Sequence, residues 1–200
     1  MSAGHDAMHE YLASLPAGID SYPECRMKGA VVRSLLDTLT GYAPPTSLPR
    51  AIVELFEHPP APSGWVPEVP VHALMTITAH DHHGGELAYL EHALHGNRAL
   101  LDSLAFRILF RFVSPKKVLI QATERWQLFH AGTQIEVETT RDRRGGVLLM
   151  RTPPQHCPLL VAKGYAMAIR AAVEAAGGKT VDIDAEARSP TLIAYDVRWT

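Results

Sequence analysis

The residues best suited to chemistry lie in one short segment near the middle of the chain. Positions 80–83 are His80, Asp81, His82 and His83, and His92 follows on the next predicted helix. Imidazole and carboxylate groups are good zinc ligands, and neighbouring ligands can converge with another from a following helix. One hypothesis is therefore a metal-dependent enzyme that uses His80, His82, His83 and His92. The interpretation that we favour is a solvated loop between helices, without a bound metal.

The sequence contains no other pattern typical of a catalytic centre. No serine lies in a Gly-x-Ser-x-Gly turn, which would present a nucleophile. The glycine pairs at 84–85 and 145–146 lack the later glycine and the lysine of a phosphate-binding loop. We therefore expect no catalytic residues and a protein that is not an enzyme.

A second group of residues combines aromatic rings with polar side chains. Arg125, Trp126, Phe129 and His130 end a predicted helix that leads into a strand, and Tyr165 lies on a later helix. Small-molecule sites are usually apolar clefts with a few well-placed polar groups. The sequence thus predicts a ligand site between helices and sheet, for a small apolar or aromatic molecule. Packing of the same side chains in the core is the alternative.

Small residues repeat every fourth position on the last predicted helix. Gly164, Ala168 and Ala172 share one face, and small side chains let another backbone approach closely. This face favours either tight packing within the chain or a helix–helix contact in a homodimer. A protein-interaction or dimerisation module without a ligand pocket is therefore a second hypothesis for the function.

The first half of the chain, which contains the histidine-rich segment, is predicted to be helical. Apolar residues at helical spacing, with prolines and glycines between the segments, predict the helices 6–15, 24–39, 48–58 and 69–79. The stretch 85–129 is helical in pattern throughout, with breaks predicted at 95–97 and at Ser114-Pro115. The first lobe would be residues 1–96.

The period of the apolar residues changes to two after Gly132. Alternating residues predict a hairpin around 143–146, a helix from Pro158 to Ala176, and two closing strands. The fold class is therefore α+β: a helical amino-terminal half, then a four-stranded, mainly antiparallel sheet in the order β-β-α-β-β, packed with helices. Residues 97–200 would form this module and share one core with the first lobe.

Composition excludes several classes of protein. With 19 basic and 21 acidic residues the net charge is -2, so no strong field attracts nucleic acid. No window is long and apolar enough for a membrane span, and no signal-peptide core begins the chain. Two cysteines, Cys25 and Cys157, are too few for a disulfide framework. We expect a cytoplasmic protein with reduced thiols.

Three segments resemble a paralogous family of unknown function that is abundant in myxobacteria. They are residues 22–36, the helix pair around Phe110 and Trp126, and the closing residues 194–199. More distantly, the hairpin, the helix with Gly164-Tyr165 and the terminal hairpin look like the fold of vinyl-reductase-type sensor, haem nitric-oxide-binding and vesicle-tethering domains. The resemblance implies a sensory or regulatory binding module.

The chain departs from these remote families at their cofactor sites. Cys157 corresponds to one ligand of the cysteine-rich metal site of the vinyl-reductase-type sensors, and no cysteine follows it. The tyrosine-serine-arginine motif that holds haem carboxylates in the nitric-oxide sensors does not occur. We therefore predict no cofactor, neither metal nor haem. The expected function is non-catalytic sensing or regulation, with a small molecule, a second copy or another regulatory protein as partner.

Overall fold

A computed structural model of the protein describes residues 2–45, 47–101, 113–139 and 144–200. Its helices in the first half are α1 (Ala3–Ala13), α2 (Gly29–Thr38), α3 (Arg50–Glu57), α4 (Glu68–Asp81) and α5 (Glu86–Leu101), with a 3-10 turn at Gly18–Asp20. The later helices are α6 (Pro115–Ile120), α7 (Ala122–Phe129) and α8 (Leu159–Ala175). The strands are β1 (Arg26–Lys28), β2 (Trp65–Pro67), β3 (His130–Ala131), β4 (Gln134–Thr139), β5 (Gly145–Arg151), β6 (Asp182–Ser189) and β7 (Leu192–Arg198).

The predicted fold class is confirmed. Strands β4 to β7 form one sheet in the order β4-β5-β7-β6, and every neighbouring pair is antiparallel. Helix α8 connects β5 to β6 and packs against β6. The period-two pattern places Leu148 opposite Tyr195 in the register, and both side chains are buried.

Two local predictions were wrong. The predicted helix 24–39 begins only at Gly29, because Arg26–Lys28 is strand β1. The predicted break at 95–97 does not occur, since α5 continues to Leu101. The Asn97 side chain donates to the carbonyl of Ala93 one turn earlier, so it supports the helix that it was expected to end. Phe110 and Arg143, the first residue of the predicted turn 143–146, lie outside the described residues, whereas Gly145 and Gly146 of that turn begin strand β5.

A second, three-stranded sheet was not predicted. Strand β1 lies between β2 and β3, antiparallel to both. It brings the start of α4 and the end of α7 together, because β2 runs directly into Glu68 and α7 runs directly into His130. The Glu68 backbone N–H also donates to the carbonyl of Cys25 beside β1. This small sheet therefore positions two residues that are 62 positions apart.

Most of the buried apolar side chains belong to one cluster that extends from Met8 to Trp199. Helices α5 and α8 lie against each other along much of their length. No helix in the described part of the chain is long and apolar enough to cross a membrane. The division of the chain at residue 96 stays a prediction, and helix α5 spans it.

Candidate functional site

The histidine-rich segment lies at the end of α4 and the start of α5. The rings of His82 and His83 have centroids 4.9 Å apart, and those of His83 and His92 are 4.6 Å apart. Burial, together with the charges of His92 and His82, lowers the pKa of His83 to about 4. Asp81 faces the other way and accepts from the Gly4 backbone N–H.

The described ranges contain no set of three or more His, Cys, Asp or Glu side chains placed to hold one metal ion. The use of His80, His82, His83 and His92 by a metal-dependent enzyme stays a prediction. His83 already packs against the ring of Tyr89, with the centroids 5.8 Å apart.

Three of the five predicted ligand-site residues come together. The Trp126 indole stacks on the His130 imidazole, with ring centroids 3.7 Å apart and planes 7° from parallel. The Tyr165 ring meets both edge-on, at 5.3 Å from Trp126 and 5.4 Å from His130. The indole N–H of Trp126 donates to the Thr133 hydroxyl at 2.9 Å, which fixes the orientation of the stack.

The other two predicted residues lie outside this aromatic group. Phe129 is 40 % exposed at the end of α7. Arg125 is half-buried, and its guanidinium donates to the Gln121 side chain on the same helix face. A ligand-binding role for Arg125, Trp126, Phe129, His130 and Tyr165 stays a prediction.

A buried acid lies beneath the aromatic group, and sequence reasoning missed it. Glu68 is 1 % exposed, and its Oε1 accepts from His130 Nδ1 at 2.6 Å. Its Oε2 lies 3.4 Å from Nε2 of His156, which is fully buried. The sequence signal was ambiguous, because an acidic residue in the first turn of a helix is common on the surface.

Two tyrosines and a third histidine complete what we call the polar cluster. It consists of Tyr11, Glu68, His72, His130, His156 and Tyr165.

His72 occupies the centre of the polar cluster. Its Nδ1 donates to the His156 carbonyl at 3.0 Å, so its Nε2 accepts from the Tyr165 hydroxyl at 2.9 Å. Tyr11 donates to the same His156 carbonyl at 2.7 Å. These contacts join α1, α4 and α8 to the loop that precedes α8.

The charges in the polar cluster follow from burial and these contacts. Burial alone would raise the pKa of the Glu68 carboxyl, but the hydrogen bond from His130 and the neighbouring imidazoles lower it below its ordinary value. Burial lowers the pKa of His72, and it lowers the pKa of His156 to about 3. The carboxylate is therefore charged at neutral pH, while His72 and His156 are neutral.

His156 differs from the other two imidazoles of the polar cluster, because neither of its ring nitrogens has a hydrogen-bond partner. Its backbone is held firmly, since Gln155 before it adopts a left-handed φ of 58° and donates its N–H to Pro190. The Tyr22 hydroxyl donates to Pro154 in the same loop, and the Tyr22 and His156 rings meet edge-on at 5.8 Å. Buried polar atoms normally have partners, so an unpartnered pair needs an explanation.

Two cavities of the described structure lie away from Trp126. One, of about 290 Å³, lies on the outer face of the large sheet and is lined by charged residues of β6 and β7. The other, of about 270 Å³, is an open groove over the loop that precedes α8. Its lining includes Tyr11 and Gln155, so it approaches the polar cluster from outside.

The small-residue face of α8 is partly used within the chain. A Cβ added to Gly164 would lie 2.5 Å from the hydroxyl oxygen of Tyr89 on α5. Ala172 also packs against the hydrophobic cluster. A role for Gly164, Ala168 and Ala172 in a dimer stays a prediction.

Comparison with known proteins finds relatives by structure alone. No protein-family model matches the chain, and no curated protein matches it.

The Fe(II) unliganded H-NOX protein from K. algicida is 13% identical, covering 87% of this chain and 97% of that one, with a TM-score of 0.56. The H-NOX protein from S. oneidensis in the Fe(II)NO ligation state is also 13% identical, with 87% and 99% covered and a TM-score of 0.56. The chain shares its fold with these H-NOX proteins. A structure from a study of heme distortion in the H-NOX family is 9% identical and covers 100% of this chain and 95% of that one, with a TM-score of 0.50.

These H-NOX structures correct one prediction and support another. The remote resemblance to the haem nitric-oxide-binding fold is confirmed as a fold, whereas membership of the myxobacterial family stays a prediction. The prediction of no cofactor is contradicted, because the solved structures with this fold are described with Fe(II) and with heme. That prediction depended on the missing tyrosine-serine-arginine motif, which concerns the haem carboxylates and not the iron.

Proposed function

We propose that this chain is a sensory or regulatory domain without catalytic activity, which binds a small molecule where its helices meet the large sheet. The shared H-NOX fold supports this role, because one of those proteins was solved in a Fe(II)NO ligation state and another in an unliganded state. Fold alone does not establish function, so the proposal depends on the polar cluster and the aromatic rings above it.

The single observation that carries the proposal is the stack of Trp126 on His130 above the buried carboxylate of Glu68. An ion pair or charged hydrogen bond in the interior is seldom retained for stability, since apolar residues of similar size usually serve as well. Buried titratable groups with shifted pKa values are typical of functional sites. We propose that a small apolar or aromatic ligand contacts the Trp126, His130 and Tyr165 rings.

The connections of the polar cluster supply a route from the ligand to the rest of the chain. His130 belongs to the small sheet and Glu68 begins α4, while Tyr165 lies on α8. A ligand that moves the Trp126 ring changes the contacts of all three elements. That is the structural requirement for a sensor, because a ligand acts only through contacts that differ between two states.

The described thiols and hydroxyls support a role other than catalysis. Burial raises the pKa of the Cys25 thiol to about 12, and burial with the charge of Glu68 raises the pKa of Cys157 well above its ordinary value. Thiols that remain protonated at neutral pH are poor nucleophiles. The Tyr165 hydroxyl, whose pKa burial also raises, already donates to His72.

Haem is one ligand to test, because the fold is that of the H-NOX proteins. The neutral, unpartnered His156 imidazole has the donor chemistry that haem iron binds. The ring centroid of His72 lies 5.0 Å from that of His156, so a porphyrin would enter only if neighbouring rings move aside. When bound, haem would supply an iron atom to which a diatomic gas coordinates.

The test is a thermal-shift panel of small aromatic molecules, apolar molecules and haem, run on the purified protein. A true ligand stabilises the folded protein by RT ln(1 + [L]/Kd), so the melting temperature should rise with the logarithm of its concentration once this exceeds Kd. The change Trp126→Leu should abolish the shift, whereas Trp65→Leu should leave it intact, because Trp65 lies on the surface and packs under Lys28. An unchanged melting curve for every compound, haem included, would refute the proposal.

A further inference from the structure

Strand β6 is an edge of the large sheet and is open along its outer side. Among the described residues it pairs with β7 alone, and six of its eight residues are exposed. Alternate residues of an edge strand direct their N–H and C=O groups away from the sheet, where another strand can bind them. The opposite edge is partly occupied, because the Thr123 hydroxyl on α7 donates to the carbonyl of Ile135 on β4. The open edge of the large sheet is therefore β6.

The outer face of β6 carries what we call the acidic row, which consists of Asp182, Asp184 and Glu186. Ile183 and Ala185 between them pack inward against the hydrophobic cluster. Because a strand rises about 3.2–3.4 Å per residue, neighbouring carboxylates of the row belong to residues about 6.4–6.8 Å apart. The edge thus presents negative charge at a regular spacing.

The cations on this face of the sheet neutralise only part of its charge. Arg198 pairs with Asp196 on β7 at 2.7 Å, and Arg188 lies 3.8 Å from Glu186. Asp184 lies directly opposite Asp196 in the register, and like charges in that arrangement are destabilising. A further cation beside the row would relieve this repulsion.

Two members of the acidic row are available to such a cation. In the described part of the chain the Asp182 carboxylate has no ion pair, and Asp184 accepts only the backbone N–H of Ala185, at 2.9 Å. A cavity of about 290 Å³ lies over the row and is lined by all three of its acids. It has room for long cationic side chains.

We infer that β6 is a docking edge for a basic strand of a partner protein, meaning an extended segment with lysine or arginine at every second position. Extended segments commonly bind by adding a strand to an open sheet edge, where main-chain hydrogen bonds supply affinity and alternate side chains supply specificity. The side chains of such a segment repeat at the spacing of the acidic row, so each cation lies opposite a carboxylate. The inference goes beyond the proposed ligand site, since it uses no residue of the polar cluster.

The length of the docking edge is set by a bulge. The register with β7 shifts between Ala187 and Ser189, so the regular part of β6 comprises residues 182–187. Three cations at alternate positions match this length. A longer partner strand would have to leave the edge at the bulge.

A second copy of the chain does not fit the same edge. Two β6 strands that pair antiparallel about Asp184 would set Asp184 against its own copy and Asp182 against Glu186. Pairing about Ala185 would set Asp184 against Glu186. Charges on an edge strand suppress pairing between copies in this way. The same charges select a basic strand, because repulsion of one partner and attraction of another both contribute to specificity.

The experiment uses a dye-labelled heptapeptide with lysine at its second, fourth and sixth positions and valine or threonine elsewhere. Fluorescence anisotropy at physiological ionic strength measures its affinity for the full chain. A control peptide has the same composition with its three lysines adjacent. We expect the alternating peptide to bind more tightly, since only its lysines can all face the acidic row.

Two double variants separate the docking edge from the overall charge. Asp182→Asn/Asp184→Asn should weaken binding about 5-fold through the loss of two cross-strand pairs. The matched control, Glu136→Gln/Glu138→Gln, removes two acids from the same face at β4, three strand spacings or about 14 Å away. That distance exceeds the Debye length of about 8 Å, so the control should change the affinity far less. All four positions are exposed, so both variants should fold.

A second measurement tests whether the peptide adds to the edge or lies on the face. Strand addition should slow hydrogen exchange of the Ala185 amide, because a peptide carbonyl replaces the Asp184 carboxylate as its acceptor. A peptide with alternate amides methylated along one edge, which keeps all its lysines, should bind much more weakly.

Several results would overturn the inference: equal affinity for the two lysine peptides, equal losses in the two double variants, or full binding of the methylated peptide. No binding of either lysine peptide would overturn it as well. Self-association of Asp182→Asn/Asp184→Asn would then show that the acids act only against pairing between copies. None of these results depends on a small-molecule ligand, so the docking edge and the proposed function can fail separately.

Discussion

Replacing Gly164 by alanine tests how the small-residue face of α8 is used. The new Cβ would lie 2.5 Å from the Tyr89 hydroxyl oxygen and 3.2 Å from the ring carbon that carries it. Contacts below 3.0 Å do not occur for real Cβ atoms, so the two helices must shift or the ring must turn. Tyr89 is only 4 % exposed, so its ring cannot swing into solvent.

The expected effect combines two terms of opposite sign. Alanine in place of glycine inside a helix gains about 1 kcal/mol of intrinsic propensity. Forcing extra volume into a packed interior costs about 1–3 kcal/mol. Gly96 on α5 provides the matched control, because no atom lies within 4 Å of the Cβ that it would gain. Gly164→Ala should therefore be about 1–3 kcal/mol less stable than Gly96→Ala, since the propensity terms cancel.

A substitution of Tyr89 tests whether its hydroxyl is the group that the new Cβ meets. Tyr89→Phe removes the oxygen and leaves a ring carbon at 3.2 Å, so Gly164→Ala should cost less in that background. Urea unfolding followed by tryptophan fluorescence measures the stability of the wild type, the three single variants and the double variant, and sedimentation measures their oligomeric state. Equal stabilities for Gly164→Ala and Gly96→Ala would refute the packing argument. Dissociation of a dimer by Gly164→Ala, with stability unchanged, would instead establish the face as a dimer contact.

Three further predictions concern the polar cluster. The depressed pKa of His156, about 3 in the folded protein, gives stability that is complete above pH 6.5 and is lost as the pH falls towards 3. Lowering the pH from 7.5 to 5.0 should therefore cost the wild type about 2 kcal/mol more than His156→Gln in urea titrations, and parallel losses would contradict this. Trp126→Phe and Thr133→Val should each remove the hydrogen bond between the two side chains, so in urea titrations the double variant should lose about 1 kcal/mol less than the sum of the single variants; additive losses would contradict this. Tyr11→Phe should cost only about 1 kcal/mol by thermal melting, because His72 still satisfies the shared carbonyl; a loss of several kcal/mol would show that it does not.

The large sheet could be predicted because its signal is local. Ile135 and Val137 alternate with charged residues, and the same alternation recurs along β6 and β7, so periodicity alone locates the strands. The end of α8 could be predicted for the same reason, because Gly177 and Gly178 follow it directly in the sequence. Gly177 adopts a left-handed φ of 93°, which glycine accepts without steric cost.

The small sheet could not be predicted, because its strands have only two or three residues and show no period. Its existence depends on pairings between segments that are distant in sequence, such as Met27 with Val66 and with His130. Where such pairings decide the structure, local propensity carries little information. The wrong break at 95–97 has the same origin, since Asn97 has both a helix-supporting and a helix-ending contact available, and the fold selects the first.

Only part of the candidate site was accessible to sequence reasoning. Trp126, His130 and Tyr165 were predicted because aromatic and polar types together are typical of ligand sites. Glu68 and His156 were missed, because burial is what makes them unusual and burial of a charged residue leaves no trace in its neighbours. Glu68 directly follows Pro67 and precedes an apolar run, which also describes an ordinary exposed helix start.

The contrast between the polar cluster and the apolar interior indicates why a carboxylate is buried at Glu68. The hydrophobic cluster from Met8 to Trp199 already joins both ends of the chain, and the H-NOX fold is kept at 13% identity, so many sequences can build this frame. A buried carboxylate must overcome a desolvation cost of several kcal/mol, and an apolar residue would avoid that cost. The His130 hydrogen bond offsets part of it, whereas the unpartnered His156 adds a second cost beside it. Two adjacent costs that packing does not require indicate that these polar groups are kept for function rather than for stability, as is typical of buried titratable groups with shifted pKa values.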